Sequence, residues 1–306
     1  MPTPNEAESP SVVPEPVQAG QAESQYNQEG QIETGEVPSL MPESSKDPVN
    51  SLEDIQRQQR EIETEQKEQP LVGERQSTDA IPAKYDVGSA FHENATKLMS
   101  EYQFVRFIRR DGNCFYRAIV AGLFDKFQKD RDLMTAFRAS LDDWAQRIVA
   151  FGYADFIVDD MRENVASALD SVISGEKTAD DVLAYEAINN YLTLFLRLIS
   201  AVVLCENEDY YMMFIADDSV RSMKEWVNRE IEPTFKEADA LGITALSRGL
   251  KMVFGVQHLN QSPSPAGHSL DMINGMMEDE QAQVEGEAPV IYVLFTPGHY
   301  DLLHKE

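Results

Sequence analysis

Apolar positions recur at helical spacing through most of the chain. Phe91, Ala95, Leu98, Met99 and Tyr102 mark one helix, and Ala118, Ile119, Ala121, Leu123 and Phe124 mark another. Phe137, Leu141, Trp144, Ala145 and Ile148 repeat the pattern, as do Val165, Ala168, Leu169, Val172 and Ile173. Further helices are predicted over 191–203, 220–231 and 240–250. Strand-like runs, rich in β-branched and aromatic residues, concentrate late, at 251–259, 290–295 and 300–303. An earlier apolar run, Phe104, Val105, Phe107 and Ile108, reads as a strand or a packed loop. Helices first and an antiparallel sheet last predict an α+β fold, a helical subdomain packed on a small, mostly antiparallel sheet. Between the first two late strands, 260–288 carries Pro263, Pro265, Gly267 and several acids, and reads as a long loop.

The pattern fails at the start of the chain. Residues 1–50 are rich in Pro, Glu, Gln, Ser and Gly, with few large apolar residues and nine acids against one base. Such a segment cannot bury enough apolar surface to offset its ordering entropy, so a disordered acidic tail is expected. From 51 the character changes. Ser51 and Asp54 resemble a capping box, and Leu52, Ile55 and Ile62 fall on one narrow helical stripe. The expected organisation is a tail over 1–50, a helix and connector over 51–80, and a folded domain over 81–306.

Composition narrows the function classes. Lys and Arg total 26 against 53 Asp and Glu, a formal charge of -27. That argues against nucleic acid or an anionic membrane as partner, because both demand basic patches. Cys114 and Cys205 are the two cysteines, in different contexts and without a CxxC, so neither a disulfide framework nor a zinc site is expected. The 191–204 run is apolar but short for a bilayer and contains Arg197. The N-terminus lacks a basic-then-apolar run, so a protein of the reducing cytoplasm, also of the nucleus, is expected.

The candidate chemistry lies in Asp111-Gly112-Asn113-Cys114-Phe115-Tyr116-Arg117-Ala118. Asp, Gly and Asn build a sharp turn, which delivers Cys114 to the first turn of a helix. A thiol at the positive end of a helix dipole is expected to have a lowered pKa. Consecutive N–H groups of the turn suit an oxyanion hole. An inert core cysteine needs no such approach, so Cys114 reads as a nucleophile. Near the C-terminus, Thr296-Pro297-Gly298 forms a turn before His299-Tyr300-Asp301. Residues two apart on a strand share a face, so Asp301 is placed to orient His299, expected to be exposed at the sheet edge. His258 has no acid two residues along. Asp111 caps the turn through its side chain, shapes the oxyanion hole through its backbone, or does both.

DGNCFYRA followed by PGHYDLL resembles the otubain branch of the OTU (ovarian tumour) cysteine deubiquitinases. The similarity runs from about 51 to the end and includes 69–75 (QPLVGER), 191–198 (YLTLFLRL), 230–239 (EIEPTFKEAD) and 245–250. The resemblance implies a papain-like architecture and hydrolysis of the isopeptide bond after ubiquitin's C-terminal glycine, on polyubiquitin chains, by a monomer needing no metal or cofactor. In that reading Cys114 is the nucleophile, His299 the general base and acid, and Asp301 its orienting carboxylate. Asp111 belongs to the oxyanion-hole turn, and Gly112 and Asn113 bind substrate. The 51–68 helix is either a solvated lead-in or a contact for ubiquitin or a ubiquitin-conjugating enzyme. A non-catalytic role, holding and inhibiting such an enzyme, is the alternative function.

Overall fold

A six-stranded sheet is built from short strands at the start of the folded region and longer ones at its end. The computed structural model describes residues 66–263, 265–281 and 287–305. The expected tail and most of the expected 51–68 helix lie outside the described residues. The strands are β1 (Gln76–Ser77), β2 (Phe104–Arg106), β3 (Val253–His258), β4 (Leu270–Ile273), β5 (Val290–Thr296) and β6 (His299–His304). Their order is β1-β2-β6-β5-β3-β4, with β3 and β5 parallel and every other pair antiparallel. The connector expected to precede the domain instead contributes to it. Leu71 and Val72 are buried, and Gln76–Ser77 pair with β2.

The helices are α1 (Ala90–Leu98), α2 (Cys114–Lys129), α3 (Arg131–Ala150), α4 (Asp155–Ile173), α5 (Ala179–Ala184), α6 (Glu186–Glu206), α7 (Glu208–Tyr211), α8 (Met223–Glu230), α9 (Ala240–Leu250) and α10 (Glu278–Gln281). Several starts follow from capping. The side chains of Ser89, Asp130, Ser222 and Asp239 accept a backbone N–H in the first turn, and Thr178 with Asp181 completes a capping box.

Alternation along the central strands explains the layers. Ile291, Val293 and Leu302 face the main core with α2, while Leu294, Leu303 and Val105 face a smaller core under α1 with Ile81, Ala95 and Leu98. The helix α2 is buried nearly all round, so it lies between the sheet and the other helices. It reaches the sheet closely because Gly122 has no side chain; a Cβ there would lie 2.6 Å from Ile291 Cγ2.

Several elements were not predicted, among them β1 in the connector and α10 in the 260–288 stretch. The 260–288 stretch, read as a loop, contains β4, whose Leu270 and Met272 stay exposed. The short α5 and α7 carry too few apolar residues for a periodic signal. In addition, α6 starts five residues before the predicted 191 and is long and apolar enough to cross a membrane, yet it is a core helix with Arg197 fully buried at its middle.

Candidate active site

The turn before Cys114 is fixed by two buried arginines. Gly112 takes φ +73°, and Cys114 opens α2 with 2% of its surface exposed. Arg117, one turn along α2, donates through Nε to Asp111 Oδ2 at 3.0 Å, and its Nη1 donates to Asn189 Oδ1 at 2.6 Å. Asp111 Oδ1 in turn accepts the Asn113 N–H at 3.0 Å. Asp111 therefore caps the turn through its side chain, the first of its two readings. Its own N–H donates to Arg109 O at 3.1 Å.

Asn113 stands at the N-cap of α2 but makes no capping bond with its side chain. Its Oδ1 instead accepts from Arg197 Nη2 at 2.8 Å and from the Phe235 N–H at 3.2 Å. This revises the substrate-binding expectation for two residues. The Asn113 N–H is taken by Asp111, and the space beside Gly112 is filled by the backbone of Phe235, whose carbonyl a Cβ would overlap. Tyr116 and Arg117 are both buried in the domain interior.

On the other side of Cys114, β6 supplies His299 and Asp301. His299 Nε2 donates to Asp301 Oδ1 at 2.9 Å, and the same oxygen accepts the Ile108 N–H at 2.8 Å. With Nε2 carrying the proton, the neutral ring leaves Nδ1 free to accept one. Among the described residues, that buried Nδ1 has no hydrogen-bond partner. His299 is 2% exposed rather than open at an edge, although β2 pairs only with Leu302–His304 and β5 alone pairs at His299.

The start of α2 packs against β6, the Phe115 ring meeting the Tyr300 ring edge-on with 5.2 Å between centroids. The expected lowering of the thiol pKa is not observed. Burial pushes it up to about 11, against the downward pull of the Tyr300 and Phe115 N–H groups, and the Asp111 and Asp301 carboxylates push it further up. Burial thus favours the protonated thiol, and His299 Nδ1 has no hydrogen-bond partner among the described residues.

The other cysteine has no such setting. Cys205 lies near the end of α6, and burial raises its pKa to about 12. His258 does have an acid, the Asp271 carboxylate at 2.9 Å across the β3–β4 pair, which sequence spacing could not reveal. It lies two strands from β6 in the sheet. Arg197 and the 231–236 segment were missed as parts of the site. The available signal was a lone arginine inside an otherwise apolar helix.

A thiol on the first turn of a central helix, packed against the antiparallel strand that carries an imidazole–carboxylate pair, defines a papain-like cysteine hydrolase. The chain belongs to the otubain family: residues 64–305 match the family model for Peptidase C65, otubain. It is 34% identical over 252 residues to the ubiquitin thioesterase otubain-like of Caenorhabditis elegans, covering 80% of this chain and 85% of that protein. Human ubiquitin thioesterase OTUB1 is 28% identical, with 86% and 94% covered. A solved structure described as a ceOTUB1 ubiquitin aldehyde UBC13~Ub complex superposes with a TM-score of 0.73 at 33% identity, covering 82% of this chain and 99% of that one. The protein is accordingly a cysteine-type deubiquitinating enzyme.

Proposed function

We propose that Cys114, His299 and Asp301 carry out this hydrolysis on polyubiquitin, at the isopeptide bond after ubiquitin's C-terminal glycine. His299 Nδ1 takes the thiol proton as sulfur attacks the carbonyl carbon. The amine leaves with a proton from the imidazolium, and a thioester remains. A water molecule, deprotonated by His299, then releases ubiquitin and restores the thiol. Asp301 holds the tautomer that keeps Nδ1 ready to accept, and the Cys114 N–H, at the end of the turn from Asp111, donates to the oxyanion. The observation that carries this reading is the unpartnered, buried Nδ1 of a histidine whose other nitrogen is tied to a carboxylate, on the strand that packs against the start of the Cys114 helix.

The test is labelling by ubiquitin bearing a thiol-reactive C-terminal electrophile. Wild type and Cys205→Ala should each gain one ubiquitin by intact mass, and Cys114→Ala none. Labelling that persists in Cys114→Ala would remove the nucleophile assignment.

A ubiquitin-conjugating enzyme is the second proposed partner, because a solved relative carries one charged with ubiquitin. The contact is assigned to the 51–68 segment. Deleting residues 1–65 should weaken capture of such an enzyme while keeping β1 and the buried Leu71 and Val72 in place. A monomer working in the cytoplasm and nucleus completes the reading.

A further inference from the structure

The Gly112–Asn113 peptide is held at both ends. Its N–H donates to Asp111 Oδ1 at 3.0 Å, and its carbonyl accepts from Arg197 Nη2 at 3.1 Å. Arg197 also donates through Nε and Nη2 to Asn113 Oδ1, through Nη1 to Ile231 O at 3.0 Å, and through Nη2 to Lys236 O. Its guanidinium lies over the Tyr116 ring, 4.4 Å from the centroid. All these hydrogen-bond acceptors are neutral. A fully buried cation resting on neutral acceptors is costly to desolvate, and burial lowers its pKa. Stability alone would favour an apolar side chain at this position.

The arginine is nevertheless placed to join two segments that the chain keeps far apart. One is the nucleophile turn; the other is 231–236. Phe235 in that second segment adopts φ +65°, an uncommon conformation for a residue other than glycine. This angle accompanies a backbone path that fills the space beside Gly112 and sends the Phe235 N–H to Asn113 Oδ1. Asn113 is therefore anchored through its side chain, its N–H and the preceding carbonyl. With both flanking torsions fixed, the next peptide, which carries the Cys114 N–H, has a set direction. Without Arg197, the Gly112–Asn113 peptide would keep only the Asn113 N–H bond to Asp111, and its carbonyl end, at a glycine, would lose its anchor.

We infer that Arg197 is a positioning residue for the hydrolysis proposed above: it locks the Gly112–Asn113 peptide to the 231–236 segment, so that the Cys114 N–H faces the oxyanion as it forms. The inference rests on Cys114 being the nucleophile. A misaligned oxyanion donor affects the transition state and leaves ground-state binding and thiol chemistry in place.

The experiment compares full-length wild type, Arg197→Lys, Arg197→Met and Asn113→Ala. Each is assayed on ubiquitin with a fluorogenic C-terminal amide, for inhibition by ubiquitin aldehyde, and for Cys114 alkylation by iodoacetamide. In Arg197→Met, kcat should fall about a hundredfold, the scale of losing one oriented donor. KM should move less than about threefold, and aldehyde affinity should fall with kcat. Arg197→Lys, a single point charge without the fork, should lie between. The fraction of Cys114 alkylated should match wild type in each folded variant, because iodoacetamide needs no oxyanion hole. If Arg197→Met fails to fold, Asn113→Ala removes the shared acceptor without emptying the core, and the same split is expected. A folded variant with wild-type kcat, or a kcat loss matched by lost alkylation, would overturn the inference. A wild-type protein inert to every ubiquitin substrate would instead overturn the reading on which it rests.

Discussion

At Cys114 two effects oppose each other, and burial wins. The N-terminus of α2 and two backbone N–H groups favour the thiolate, yet the thiol pKa stands at about 11 because the sulfur is shut from water between two carboxylates. Raising the pKa of an acid favours its protonated form, so at neutral pH the thiol is neutral and the thiolate fraction rises tenfold per pH unit until about 11. Alkylation of the free enzyme by iodoacetamide should therefore climb across this range without an early plateau. A rate that levels off near neutrality would show a preformed thiolate. Asp301 acts on the same proton from the far side of the imidazole. In Asp301→Asn an NH2 at the atom that now serves both Nε2 and the Ile108 N–H donates to Nε2, places the ring proton on Nδ1 and leaves the Ile108 N–H without its acceptor. Turnover should fall on the order of 10²-fold or more, while alkylation at high pH stays intact. Equal turnover in the two proteins would deny Asp301 its role.

Among the elements, α2 and β6 decide the geometry. One presents Cys114 at its first residue and the other presents His299 at its first residue, so their packing sets the reacting distance. That packing is close because Gly122 meets Ile291 and Leu302 without a side chain. Gly122→Val should lower thermal stability by about 1–3 kcal/mol through overpacking. It should also reduce kcat by displacing α2 from β6. Unchanged melting and turnover would show that the interface yields freely. The capping residues have smaller roles, and periodicity alone did not mark where helices start: those predicted from Phe137 and Tyr191 begin at Arg131 and Glu186. Ser89, Asp130, Ser222 and Asp239 each stand directly before a helix, whereas β4 and α7 have almost no periodic signal.

For the whole molecule, charge is unevenly spread along the chain. Residues 1–50 hold nine acids and one base, so the remainder still carries -19 of the total -27. Deleting 1–50 should leave melting temperature and kcat/KM on the fluorogenic ubiquitin substrate unchanged, because that composition offers little apolar surface to a core. A drop in stability would show that the tail packs on the domain. The catalytic domain itself needs both ends of its sequence: β1 and β2 come before α2, while β6, paired with β2, closes the chain.

The sequence by itself determined the α+β class, most of the helices, the turn that ends in Cys114 and the pairing of His299 with Asp301. Each of these depends on contacts within a few residues, where periodicity, turn chemistry and strand alternation act. The tertiary structure alone decided the rest. The sheet order made β6 an interior strand, and the closed fold buried His299 where β5 alone pairs with it. The Asp271 partner of His258 came from a strand pairing that spacing cannot show. The thiol pKa rose because desolvation depends on what surrounds the sulfur, and the surroundings are assembled from distant segments. The clamp of Arg197 on Asn113 and the 231–236 segment belongs to the same class: three parts of the chain meet there, and a buried cation's partners are set only when the core closes around it.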